Sequence, residues 1–118
     1  MKILIVEDNP HNLKLFRVII ESMGHQCLVA EDGEAGIAMA HGEIPDLIFM
    51  DIQMPRMDGV SALHRLQADD ATKNIPVVAL TSYAMKGDRE RFMAEGFDAY
   101  MEKPISKNLF VEMIGKYE

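Results

Sequence analysis

Three carboxylates, a hydroxyl and one ammonium stand at or just beyond the ends of short apolar runs in this 118-residue chain. Glu7 and Asp8 follow "KILIV", Asp51 follows "DLIFM", Thr81 and Ser82 follow "PVVAL", and Lys103 follows "DAYME", with Pro104 next. If the fold gathers these ends, three acids meet. Acids brought that close repel one another, raise each other's pKa values and cost stability, so a fold that assembles them has a cation to place between them. Oxygen donors with no His or Cys beside them suit Mg²⁺, or Mn²⁺, better than zinc. Any one of these acids could instead be a helix N-terminal charge that favours the dipole. Their common placement after the same kind of run argues for a site.

The elements that must position them are legible from periodicity. Short β-rich runs alternate with longer segments of helical spacing, the pattern of βα units around a parallel sheet. The runs are "KILIV", "QCLVA", "DLIFM", "PVVAL" and "DAYME". Leu13, Phe16, Ile20 and Met23 make a helical stripe after the first, with Asn9 and Pro10 as N-cap and first helical residue and Gly24 as the stop. Gly33 to His41, Val60 to Ala68, Lys86 to Glu95 and Ser106 to Lys116 read as four more helices. Five βα units account for the whole chain, 1–118, as one domain. In an open parallel sheet the carboxyl ends of the strands share one edge, and ligands bind there. The five polar side chains belong to that edge.

Composition narrows the partners. Nineteen acidic against twelve basic residues give a net charge of −7, which repels phosphate backbones and anionic membrane surfaces. The expectation is no nucleic acid and no membrane. "MKILIVEDN" is too short an apolar run for a signal segment or a span, so a cytoplasmic location is expected. The single cysteine, Cys27, sits in a strand-like alternation and reads as a small buried hydrophobe. The four histidines are scattered without ligand spacing, and the ten methionines read as core filling.

The order "VEDN", "MDIQMPRMDG", "LTS", "KPIS" resembles the receiver domain of bacterial response regulators over the entire chain. Within that family, "EDNPHN" and "SYAMKGDRERF" look most like the single-domain, cell-cycle DivK-like regulators and the receivers attached to hybrid kinases. The resemblance implies roles residue by residue. Asp51 matches the phosphorylated aspartate, a carboxylate nucleophile that takes a phosphoryl group from a phosphohistidine. Asp8 matches the direct metal ligand, Glu7 the acid that commonly acts through a bound water, and Gln53 supplies a main-chain carbonyl. Glu7 stands where many members have Asp. Lys103 resembles the lysine that pairs with the phosphoryl oxygens, and Thr81 the hydroxyl that moves to bond one of them. Tyr100 matches the aromatic switch, and Lys103-Pro104 falls where the family has a cis peptide. Ser82 leaves the phosphate reachable, while Gln53 and Tyr83 flank the route of an attacking water.

The fold expected is therefore α/β, a doubly wound, flavodoxin-like parallel sheet of order 2-1-3-4-5 with five helices. The function expected is that of a single-domain response regulator or phosphorelay intermediate. It would be a monomer that accepts its phosphoryl group from a histidine kinase or histidine phosphotransfer domain and signals through a downstream protein target. It would not be an enzyme, beyond assisting its own phosphorylation and dephosphorylation. A receiver cut from a hybrid kinase is an alternative. An aspartate-nucleophile phosphohydrolase is another, but such enzymes want a second acid two residues after the first, where this chain has Gln53. Leu15, at the edge of the first helix's apolar arc and one turn beyond His11, is either packing or an anchor for a kinase helix.

Overall fold

The computed structural model describes residues 1–82 and 85–118. Tyr83, assigned above to the water route, lies outside the described residues. Ten elements alternate: β1 Lys2–Val6, α1 Pro10–Ser22, β2 Gln26–Ala30, α2 Gly33–Glu43, β3 Leu47–Asp51, α3 Gly59–Gln67, β4 Val77–Thr81, α4 Asp88–Glu95, β5 Ala99–Glu102 and α5 Lys107–Gly115. The sheet order is β2-β1-β3-β4-β5 with every pairing parallel, as the sequence led one to expect. The reversal lies between β1 and β3, and β3 and β4 are buried along their whole lengths, as strands covered on both faces must be.

Side-chain alternation sorts the strand residues onto two cores. Ile3, Ile5, Leu47, Phe49, Val78, Leu80 and Met101 pack with α1 and α5, where the Phe49 ring lies 4.7 Å from that of Phe110 and Phe16 5.1 Å from Phe110, centroid to centroid. Leu4, Val6, Ile48, Met50, Val77 and Ala79 pack on the other side with Ala62, Leu63 and Leu66 of α3 and Phe92 of α4. The same period of two, carried past the strand ends, puts Glu7, Asp51 and Lys103 on the first face and Thr81 and Tyr100 on the second.

Helix limits follow local chemistry. The Asn9 side chain accepts the N–H groups of His11 and Asn12, with Pro10 at the first helical position, and Asp32, Asp58 and Ser106 cap α2, α3 and α5. Helix α1 ends at Ser22, so Met23 is its C-cap and Gly24 follows at φ 84°; Ile19 joins its buried stripe. Helix α2 runs two residues beyond His41, to Glu43. Helix α4 starts at Asp88, two residues later than Lys86, because Gly87 has φ 89°, a left-handed conformation that interrupts helical hydrogen bonding and that glycine adopts without a Cβ penalty.

Candidate functional site

Register brings the polar ends level. Val6 pairs with Met50, so Glu7 and Asp51 come side by side, and Asp51 pairs with Leu80, one residue before Thr81. Thr81 pairs with Glu102, which places Lys103 next to it. The ladder continues beyond the strands through Glu7 N–H to Ala30 O at 3.0 Å and Lys103 N–H to Thr81 O at 2.7 Å. Each functional side chain thus leaves a backbone held by its neighbours. Gly59 completes the frame: a Cβ there would meet the Asp51 carbonyl oxygen, so glycine lets α3 close against the end of β3, where its N–H donates to Ile52 O at 3.0 Å.

Glu7 is fully buried and Asp51 nearly so, while Asp8 is exposed. Carboxylate oxygens of the three lie within 4.8 Å of one another. The Lys103 ammonium donates to both oxygens of Glu7 at 2.8 Å and sits 3.1 Å from Asp51 Oδ2. Asn12 Nδ2 donates to Glu7 Oε1 at 2.6 Å, and the Gln53 backbone N–H to Asp51 Oδ1 at 3.2 Å. The Lys103–Pro104 peptide is cis.

The two buried acids do not share the strain equally. Burial, reinforced by the neighbouring Glu7, pushes Asp51 from the ordinary 3.8 up to about 7, against the pull of Lys103. Burial also pushes Glu7 upward, but its hydrogen bonds with Asp51, Lys103 and Asn12 outweigh it and hold Glu7 below the ordinary value. The expectation that the acids raise one another therefore holds for Asp51 and fails for Glu7, which takes most of the available donors. At neutral pH the pair carries one firmly held negative charge and one reluctant one. Three acids of oxygen-only chemistry, one exposed and two buried, fit a hard divalent cation: it would enter beside Asp8 and relieve Asp51.

Gln53 does more than sequence reasoning gave it. Its side-chain amide lies against the Thr81 hydroxyl, with Nε2 3.0 Å and Oε1 3.3 Å from Oγ1, and Oε1 accepts the Ser82 N–H at 3.4 Å. Thr81 is buried at the end of β4 and Ser82 is exposed. Tyr100 is half-buried and stacks on Phe92 with centroids 5.9 Å apart; burial, with Glu102 and Asp88 nearby, raises its phenol pKa. Beside it a groove of about 580 Å³ runs between β5 and α5, lined by Tyr100, Glu102, Lys103, Leu109 and Met113, with Arg89 of α4 at its rim. Three histidines pair with acids outside the site, His25 with Glu118, His41 with Asp69 and His64 with Glu95, and His11 is exposed on the first turn of α1. Cys27 is buried, which raises its thiol pKa.

Comparison with known proteins places this geometry. A family model described as the response regulator receiver domain matches residues 3–115. The polar-differentiation response regulator DivK of Brucella anthropi is 44% identical over 115 residues, covering 98% of this chain and 94% of its own. Among solved structures, the receiver domain of sensor histidine kinase PA1611 from Pseudomonas aeruginosa, described with a magnesium ion coordinated in its active-site cleft, is similar at 31% identity and TM-score 0.89, covering 98% of this chain and 95% of its own. The Vibrio cholerae chemotaxis protein CheY4 shares the fold at TM-score 0.91 and 21% identity, covering 99% and 98%.

Proposed function

This chain belongs to the response regulator receiver domain family, and from that premise we propose that Asp51 is its phosphoacceptor. The observation that carries the proposal is a nearly buried aspartate at the end of a central strand, with an ammonium 3.1 Å from one oxygen and two further acids beside it. An ionised Asp51 oxygen attacks the phosphorus of a phosphohistidine, the phosphorus–nitrogen bond breaks, and the imidazole leaves as the acyl phosphate forms. Phosphoryl transfer is mostly positioning and charge neutralisation. Lys103 meets the second need from one side, and the backbone N–H of Gln53 holds the carboxylate plane. Glu7, Asp8, Asp51 and the main-chain carbonyl of Gln53 would hold Mg²⁺ or Mn²⁺, which when bound supplies positive charge to the transferring oxygens.

The same residues support a switch. New acceptor oxygens at Asp51 draw the Thr81 hydroxyl from the Gln53 amide, and the Tyr100 ring moves into the space left behind. The change reaches the groove between β5 and α5, where a downstream protein reads it. The donor is a histidine kinase or histidine phosphotransfer domain, met by the α1 edge that carries Leu15, which is 49% exposed. The protein acts as a monomer in the cytoplasm, in the cell cycle or, like the DivK relatives, in polar differentiation. Among the described residues no helix is long and apolar enough to cross a membrane.

The test is phosphotransfer from each phosphorylated histidine kinase and phosphotransfer protein of the parent genome. Label is expected to pass from at least one donor to this chain and to be absent from Asp51→Asn. Transfer to that variant at the wild-type rate would overturn the assignment.

A further inference from the structure

The stretch "EDNPHN" contributes more than its two acids. Asn12 is the third residue of α1. Side chains lean toward a helix's N-terminus, and a polar one at this position commonly turns back to the N-cap backbone. Here it passes the Asn9 cap and donates from Nδ2 to Glu7 Oε1 at 2.6 Å. Glu7 is fully buried, so its orientation is set by the protein rather than by water.

An ionised carboxylate has two oxygens and about four acceptor directions. Asn12 takes one on Oε1, and Lys103 takes one on each oxygen at 2.8 Å. The direction that remains, on Oε2, is the one left for the hydrogen bond with a protonated Asp51, and it opens to a cation when Asp51 ionises. We propose that Asn12 is a positioning residue: by occupying Oε1 it makes Oε2 the oxygen that Glu7 offers to a divalent cation or its water, and by fixing the carboxylate plane it aims the Lys103 ammonium at Asp51. The side chain of Asp would be one methylene shorter than that of Glu7, so Asn12 at its present place would not reach it. The Asn12 and Glu7 choices belong together.

The inference rests on the divalent-cation reading of the site, and the experiment separates the two. Mg²⁺ binding is titrated by amide chemical shifts in the wild type, Asn12→Ala, Glu7→Asp and the double variant, with the combined Asp8→Asn and Asp51→Asn variant as the control for the site itself. Loss of two direct ligands abolishes binding if the site reading is right; unchanged binding in that control overturns the reading. Removing a partner that orients a metal-binding group typically costs about 10- to 100-fold in affinity, and that loss is expected for Asn12→Ala. In the Glu7→Asp background the same substitution is expected to change affinity by less than about twofold, so that the two substitutions are coupled rather than additive. Equal losses in both backgrounds, or no loss in the wild type, would overturn the positioning role, because a residue that only supports α1 acts the same in each. Asn12→Leu, of similar volume and without a donor, gives the same comparison should the Ala variant fail to fold.

Discussion

Replacing Asp51 by Asn is expected to stabilise the metal-free protein, and to do so only above the acid range. Asp51 is 2% exposed and its carboxyl is raised from 3.8 to about 7. Between those two values the folded chain binds a proton that the unfolded chain has released, so stability falls as pH rises through that window and is level beyond it. At about 1.4 kcal/mol per pKa unit, the penalty on the fold above pH 7 is about 4 kcal/mol. An amide escapes it but brings a second N–H into a buried place, at a cost of about 1–2 kcal/mol. A net gain of about 2 kcal/mol is therefore expected at pH 8, against a loss of about 1 kcal/mol at pH 4, where the penalty has nearly gone and the cost of the amide remains. The assay is urea unfolding in chelator across that range; with an m-value of about 1.5 kcal/mol per molar, the midpoint rises by more than 1 M, roughly, at pH 8. Saturating Mg²⁺ should then close the gap, since a cation at about 100 times its dissociation constant adds about 2.7 kcal/mol to the protein that binds it. A pH-independent difference, or a variant less stable than wild type at pH 8 in chelator, would refute the picture of a reluctant buried charge.

Two further outcomes follow from the surfaces around the site. Leu15→Asp, at an exposed position of α1, should slow transfer from a phosphorylated kinase at least about tenfold, as hot-spot anchors do, while labelling by acetyl phosphate stays near wild type; equal loss in both assays would mean a damaged fold. With beryllofluoride standing in for the phosphoryl group, NMR resonances of α4 and β5 should shift in the wild type and shift much less in Thr81→Ala and Tyr100→Ala, because a ligand moves an equilibrium only through contacts that differ between the two states. Identical shifts in all three would send the signal out by another route.

Much of this site could be read before any coordinates, for a physical reason. In a parallel sheet all strand exits share an edge, so residues 7, 8, 51, 81 and 103 meet whatever the details of helix packing. Strand limits still moved: Asp51 and Thr81 are the last residues of β3 and β4, not the residues after them. Helix limits moved where one dihedral decides, as at Gly87, or where Pro45 ends α2 only after Ile44 has taken a left-handed turn at φ 46°. Side-chain partners were the least legible. Asn12 could be placed on α1, but its bond to Glu7 depends on where the β1–α1 loop sets the helix, and the Gln53 contact with Thr81 joins residues 28 apart in sequence. The unequal acids have the same origin: the hydrogen bond between them, with the lysine that Glu7 holds at 2.8 Å through both oxygens, lowers Glu7 and leaves Asp51 with the cost of burial.

On the proposed function, Asp51 alone accepts the phosphoryl group, in a cation-dependent reaction. Intact mass measured after incubation with acetyl phosphate and Mg²⁺ tests it most directly. A gain of one phosphoryl group is expected in the wild type, none in Asp51→Asn, and none in the wild type when chelator is in excess. A full gain in Asp51→Asn, or an equal gain with and without chelator, would contradict it.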